Sequence, residues 1–144
     1  MFFALLAVNS QAQEKEMAAL TPMGALGEFS EMEKQIIFNS LQESLSTHYA
    51  LASQKAFEAA LTQAFEELDY EECTEDSCII RIQEMLQVED VFNLQVIGEG
   101  KNTQLNLTWR TLDEKSNEED YCEGCGTREL RKMIGGLVEK LVVE

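Results

Sequence analysis

Apolar residues recur along this chain with two different periods, and the switches between them mark out nine elements. Residues 17–20 are a short apolar run that ends in Thr21, Pro22, Gly24 and Gly27, which reads as a first strand closed by a Pro/Gly turn. Ser30 followed three residues later by Glu33 has the form of a capping box, in which hydroxyl and carboxylate satisfy the free amides of a helix start. Ile37, Leu41 and Leu45 then recur at four-residue spacing, with Ile36 and Phe38 widening the stripe, so a first helix is expected. Residues 48–52 are too few for a helix and stop at Ser53, a good N-cap, which predicts a second strand. Phe57, Leu61, Ala64, Phe65 and Leu68 share one face of a second helix. Glu66, Glu67 and Asp69 oppose the dipole at its end, so it should stop near Tyr70. After a polar link at 71–77, capped by Thr74, Asp76 or Ser77, a third helix carries Ile79, Ile82, Met85 and Leu86.

In the second half the period changes to two. Residues 91–97 are apolar apart from Asn93 and Gln95, as in an inner strand covered on both faces, and 98–102 form a turn. From Thr103 the alternation is clean: Leu105, Leu107 and Trp109 point one way, and Gln104, Asn106, Thr108 and Arg110 the other. That is the pattern of a half-buried antiparallel strand. A second turn at 113–117 leads to a polar last strand at 118–122, near a sheet edge. Thr127 caps a final helix on which Leu130, Ile134, Leu137 and Leu141 share a face. Gly135 and Gly136 lower its propensity by about 1 kcal/mol each relative to Ala, which a close helix-to-sheet approach would offset. The order is β-α-β-α-α-β-β-β-α, an α/β fold of the α+β kind, one domain with helices packed on a mixed sheet.

Composition narrows the partners. A hydrophobic fraction of 44% in 144 residues supports a single folded core. The net charge of −16, from 27 acidic and 11 basic side chains, repels phosphate backbones and anionic lipid, so nucleic acid is excluded as a partner. A solvated surface accounts for that charge most simply, and a cationic partner patch is compatible with it. Residues 2–8 are apolar, and Ser10 and Ala12 form a small-x-small pattern, so residues 1–12 are expected to be a signal peptide cleaved after Ala12, leaving 13–144 as one periplasmic domain. No Lys or Arg precedes the apolar run, as happens when a start codon is assigned too far downstream; an ordinary buried segment is the alternative. Seven apolar residues are far fewer than the roughly 20 that cross a bilayer, so no membrane span is expected.

Export bears on the four cysteines, which form two close pairs, Cys73 with Cys78 and Cys122 with Cys125. Three readings are open. In an oxidising compartment they are structural disulfides, with the local pairs Cys73–Cys78 and Cys122–Cys125 favoured over the other two pairings. A tetrathiolate zinc site has the right ligands but not the compact spacing of a zinc ribbon. A redox-active Cys122-x-x-Cys125 at a helix start would gain reactivity from the dipole and lose it to Glu118, Glu119, Asp120 and Glu123. If the third helix runs back along the strand that follows it, all four thiols gather at one end of the sheet.

Other candidate chemistry is sparse. His48 is the single histidine, and no neighbouring pattern supplies it with a nucleophile or metal partners, so a structural role is expected. There is no phosphate-cradling glycine loop, no Gly-x-Ser-x-Gly elbow and no paired-histidine motif. Acidic runs at 71–72, 75–76 and 118–120 lack the alternating ligands and central glycine of a calcium loop. Trp109 reads as core, and the Asn106-Leu107-Thr108 sequon lies inside a strand.

Three stretches carry a family resemblance: the first strand with its Pro22 turn; Cys73-Thr74-Glu75-Asp76-Ser77-Cys78, leading through the helix ending at Leu86 to the strand at Val91; and Cys122-Glu123-Gly124-Cys125 before the last helix. With the element order, over roughly residues 16–143, the chain resembles the periplasmic α/β domain shared by the curli secretion channel protein, the TolB amino-terminal domain and the lipoprotein activators of penicillin-binding proteins. Its cysteine stretches are similar to those of uncharacterised exported members with paired cysteines. The resemblance implies a periplasmic accessory or assembly domain without catalytic residues. No lipobox cysteine follows the signal and no pore-forming hairpins are evident, so neither a lipid anchor nor a channel carries over. The expected function is a non-enzymatic exported domain that binds an envelope protein or assists an envelope assembly, through a strand edge or the face carrying Gln104, Asn106, Thr108 and Arg110, with no cofactor. The alternative is a thiol redox or zinc-binding module built on the four cysteines.

Overall fold

The computed structural model describes residues 15–68 and 76–143. In chain order the elements are β1 (Glu16–Leu20), β2 (Gly24–Leu26), α1 (Glu31–Ser46), β3 (Tyr49–Leu51), α2 (Gln54–Leu68), α3 (Asp76–Leu86), β4 (Asp90–Glu99), β5 (Asn102–Arg110), β6 (Lys115–Glu123) and α4 (Thr127–Val143). They build a mixed sheet in the order β3-β1-β4-β5-β6: β1 runs parallel to β3 and β4, while β4, β5 and β6 form an antiparallel meander. The expected signal segment at 1–12 lies outside the described residues.

One strand departs from the sequence reading. Residues 24–26, expected within a turn, form β2 and pair in parallel with β4, Gly24 opposite Gln95 and Leu26 opposite Ile97. β1 and β2 are two halves of one line along β4, interrupted at Pro22, which has no N–H to give the ladder. The break is held by Thr21, whose N–H donates to Phe92 O at 2.9 Å and whose hydroxyl accepts from Asn93 Nδ2 at 2.6 Å.

Both hairpin turns are tighter than expected. Asn102 pairs directly with Glu99, so Gly98 belongs to β4 and not to the turn, which leaves Gly100 and Lys101 as its tip. Gly98 is bare for packing: a Cβ there would lie 2.7 Å from the Phe29 ring. The second turn spans 111–114, where the Thr111 hydroxyl accepts from the N–H of Asp113 and Glu114, and β6 therefore starts at Lys115.

Each face of the sheet has its own core. On one side α1 and α4 bury Ile37, Leu41, Leu45, Ile134 and Leu137 against Leu20, Phe92, Leu94, Leu105 and Leu107. Each such side chain contributes about 1.5–3 kcal/mol on burial. Ser30 starts α1 as expected, its Oγ accepting from Glu33 N at 3.0 Å while Glu33 Oε1 accepts from Ser30 N at 2.9 Å. On the other side α2 and α3 close a smaller core of Phe57, Ala60, Ala64, Cys78, Ile79 and Ile82 over Ala19 and Val91.

The smaller core ends early because α3 is short. Its 11 residues advance roughly 16 Å, against roughly 33 Å for the ten residues of β4. It stops sharply at Gln87, which takes a left-handed conformation (φ 57°), with Gln87 N donating to Glu84 O and Val88 N to Gln83 O. That is the paired bonding of a Schellman cap, built with Gln where Gly is usual.

Candidate partner-binding face

The strand register sets the polar face of β5 among equals. Gln104 lies between Ile97 and Tyr121, Asn106 between Gln95 and Glu119, Thr108 between Asn93 and Asn117, and Arg110 between Val91 and Lys115. These rows share the side of the sheet on which α2 and α3 sit, yet the sheet residues of that core are Ala19 and Val91. From Asn93 outward the side chains are half-buried on β4 and β5, and Asn117, Glu119 and Tyr121 on β6 are exposed. The result is a sheet whose one face is roofed by α1 and α4 as far as β5, while the other, among the described residues, is roofed over a smaller part of its width.

Cross-strand hydrogen bonds hold the open face in place. Gln104 Nε2 donates to Glu119 Oε1 at 2.6 Å and Asn117 Nδ2 to Asn106 Oδ1 at 2.6 Å. Such pairs fix side chains that would otherwise have to be ordered on contact with a partner. Sequence reasoning missed the flanking contributors Asn93, Gln95, Asn117, Glu119 and Tyr121. A usable signal was present: Asn93 and Gln95 interrupt an apolar run two residues apart, at strand period.

At the Arg110 end, α3 and the β5–β6 turn enclose a cleft of about 160 Å³, bordered by Ile79, Ile80, Gln83 and residues 110–115. Ile80 and Leu112 are unusually open for large apolar side chains, 40% and 50% exposed. Gln83 is buried; its Nε2 donates to Glu89 O at 2.7 Å, and its Oε1 accepts no hydrogen bond among the described residues.

The described cysteines do not gather. Cys122 is bonded to Cys125 with Cα atoms 6.0 Å apart, at the end of the sheet where Glu123 faces Asn102, and Cys125 packs against the core under α1 and α4. Cys78 is disulfide-bonded and buried in the core of α2 and α3, on the opposite face. Its helix borders the 110–115 turn, the opposite end of the β5–β6 ladder. Cys73 lies outside the described residues. The expected meeting at one end fails because α3 leans on the start of β4 instead of running its length. Among the described residues no group of three or more His, Cys, Asp or Glu side chains is placed to hold a metal ion.

The remaining candidates sit elsewhere. His48 Nε2 lies 2.7 Å from Glu139 Oε2 and ties the end of α1 to α4. Trp109 packs against the larger core but stays half-buried, with its indole N–H bonded to Asp90 Oδ1. Asp90 is a buried carboxylate that no sequence pattern singled out. Its charge is the first cause that holds the nearby Glu16 carboxyl above its ordinary value, ahead of burial, a hydrogen bond with Asp90 and the charge of Glu89.

No family model matches the chain, and no curated protein matches it in sequence. Solved structures match it in shape. The LpoB C-terminal domain from Salmonella enterica superposes with a TM-score of 0.56 at 13% identity, over 78% of this chain and 85% of that one. Lipoprotein GNA1162 from Neisseria meningitidis gives 0.52 at 10%, over 87% and 95%. TolB from Acinetobacter baumannii gives 0.51 at 9%, over 91% of this chain and 29% of TolB, so the chain spans less than a third of that protein's length. At such identities the likeness is one of fold, and it is the fold that the sequence resemblance named.

Proposed function

We propose that this chain is a non-enzymatic exported domain that binds an envelope protein or helps an envelope assembly form. The observation that carries this reading is the partly roofed sheet: Gln104, Asn106, Thr108 and Arg110 stand in an ordered, half-buried polar face that, among the described residues, lies outside the core closed by α2 and α3. A face whose amides are already fixed by cross-strand bonds loses little side-chain entropy on docking, which favours recognition. The fold shared with the LpoB domain and lipoprotein GNA1162 is consistent with a periplasmic setting, as is the disulfide at Cys122 and Cys125.

Retention tests this reading. Protein spanning residues 13–144, immobilised and washed with envelope extract, is expected to hold a specific partner across a range of salt concentrations. The doubly substituted Asn106→Arg, Thr108→Arg protein, which changes only half-buried outward positions, is expected to release it. Equal retention by both proteins would remove the face from the mechanism, and no retention by either would remove the function.

A further inference from the structure

We infer that the outer edge of β6 takes up a basic extended segment of the protein partner as an added strand. The inference rests on the protein-binding reading above and names both the contact and the chemistry that fills it.

β6 ends the sheet order β3-β1-β4-β5-β6, so among the described residues only one of its edges is paired. Natural edges are blunted by shortness, proline, bulges or a covering element. The strand at the other end, β3, follows that rule with three residues. β6 does not: it has nine residues, roughly 30 Å of chain, no proline, and an unbroken one-to-one register with β5. Its residues are exposed apart from Glu118 and Cys122, which are half-buried.

Two hydrogen bonds set which amides face out. Thr111 N donates to Glu114 O at 2.8 Å and Gly124 N to Lys101 O at 2.7 Å, one at each end of the β5–β6 ladder. Bonded pairs alternate along antiparallel strands, so Ser116, Glu118, Asp120 and Cys122 turn N–H and C=O toward β5. Asn117, Glu119 and Tyr121 turn theirs outward. The Tyr121 N–H donates to Asp120 Oδ1 at 2.8 Å, and an incoming strand displaces that carboxylate. Such an edge pairs with the backbone of an extended chain, and side chains then decide which chain.

Charge makes that selection. Glu118, Glu119 and Asp120 are consecutive, and neighbours on a strand point to opposite faces, so carboxylates flank the edge on both sides of the sheet. None of the three, nor Glu123, forms an ion pair among the described residues. A second copy of this chain would set the same carboxylates against them, which disfavours pairing of β6 with itself. A segment with adjacent Lys or Arg residues places a cation beside each carboxylate, and the exposed Tyr121 ring offers a cation a further contact. Lys115, the single cation of β6, stands at the turn, so the basic positions of the partner lie toward the Tyr121 end.

The test uses a synthetic peptide of Thr and Val around a central Lys-Arg-Lys, a copy N-methylated at consecutive central amides, and a copy with Glu at the central positions. The first is expected to give saturable NMR shifts at Asn117, Glu119 and Tyr121 and to slow hydrogen exchange at Asn117 and Glu119. N-methylation keeps the charge and removes strand pairing, so the second should give neither effect, and the acidic copy should not bind. Glu118→Gln with Glu119→Gln is expected to weaken the basic peptide roughly threefold or more, with amide shifts away from β6 unchanged. An N-methylated peptide that binds as well as its parent would overturn the added strand, and binding unmoved by the double substitution would overturn the selection for basic residues. Exchange at Asn117 and Glu119 that slows with protein concentration alone would give the edge to a second copy. No envelope protein is present in these titrations, so their failure removes the β6 edge alone. Where an envelope protein is retained, saturating basic peptide is expected to release it, and retention that persists would overturn the inference; failed retention with the peptide still bound removes the protein-binding reading.

Discussion

The Trp109 indole donates a hydrogen bond to Asp90 Oδ1 at 2.7 Å, joining the end of β5 to the first residue of β4. Asp90 is only 4% exposed, and a carboxylate so buried is tolerable only when it is hydrogen-bonded. The same indole stacks on Phe92 with ring centroids 5.9 Å apart, and Phe92 leans on Tyr49 at 5.2 Å, so one polar contact is braced by three rings. Trp109→Phe keeps an aromatic ring in the stack and removes the donor. It is expected to cost about 2–3 kcal/mol in urea denaturation, whereas Asp90→Asn, which keeps an acceptor without the charge, costs less. A Trp109→Phe protein within 0.5 kcal/mol of the parent would show that this bond contributes little.

That contact also marks where the sequence stopped being legible. The periodicities of α1, α4 and β5 followed from burial on one face, and the Ser30–Glu33 capping box is local enough to read directly. The pairing of Asp90 with Trp109 depends on the register of two strands, which no local pattern encodes. β2 was hidden for a related reason: three residues after a proline carry no period of their own and become a strand only because β4 offers a free edge beside them. On the binding face, the outward row of β5 was evident from alternation, while its neighbours on β4 and β6 required the meander to be closed. The cysteine pairs were visible in the chain, but the separation of Cys78 from Cys122 and Cys125 follows from the length of α3 and its early stop.

Stability should depend on pH through the same corner. The Glu16 carboxyl is raised above its ordinary value of 4.5, chiefly by the Asp90 charge, so the folded chain binds this proton more tightly than the unfolded one. Its contribution is then fully present below the unfolded value and is lost as pH rises through the folded one. NMR titration of Glu16 should show a raised midpoint that falls back in Asp90→Asn. The Tyr49 phenol behaves alike at the other extreme, pushed up from 10.0 to about 12 by burial first and then by Asp90 and Glu16. Stability tied to it is complete below pH 10 and lost between pH 10 and 12. In absorbance titration a late phenolate step should disappear in Tyr49→Phe; an unchanged profile would mean that Tyr49 ionises normally.

Gly98 and Gly27 approach each other too closely for side chains. A Cβ on Gly98 would meet the Phe29 ring at 2.7 Å, and one on Gly27, where φ is +110°, would meet Gly98 O at 2.3 Å. Gly98→Ala is expected to destabilise by about 1–3 kcal/mol and to be partly rescued by Phe29→Leu, since a side chain can yield. Gly27→Ala should cost more and resist that rescue, because its obstacle is backbone and its φ is strained. Equal rescue of both would contradict the contact.

Gln87 offers a gain in stability. It occupies the left-handed cap position of α3 with the bonding of a Schellman motif already in place, so its Cβ is held in a conformation that glycine adopts without penalty. Gln87→Gly is expected to leave the fold intact and to raise stability by a few tenths to about 1 kcal/mol, read as a higher urea midpoint with unchanged slope. A lower midpoint would show that the Gln87 side chain contributes more than its backbone strain costs.

The bond between Cys122 and Cys125 closes a loop with a sequence separation of 3, between the end of β6 and the start of α4. So short a loop restricts the unfolded chain little, and the entropic estimate for it is at most about 2 kcal/mol. Replacing both cysteines with serine should therefore lower stability modestly and leave the fold intact, because the core under α1 and α4 does not depend on the link. The chain has four cysteines and the described ones are all bonded, so intact mass after alkylation is decisive. Without reductant the native protein should gain no label, and after reduction and unfolding it should gain four. Label taken up by the unreduced protein, or zinc released when the thiols are blocked, would mean that these sulfurs are reactive groups and would reopen the redox and metal readings.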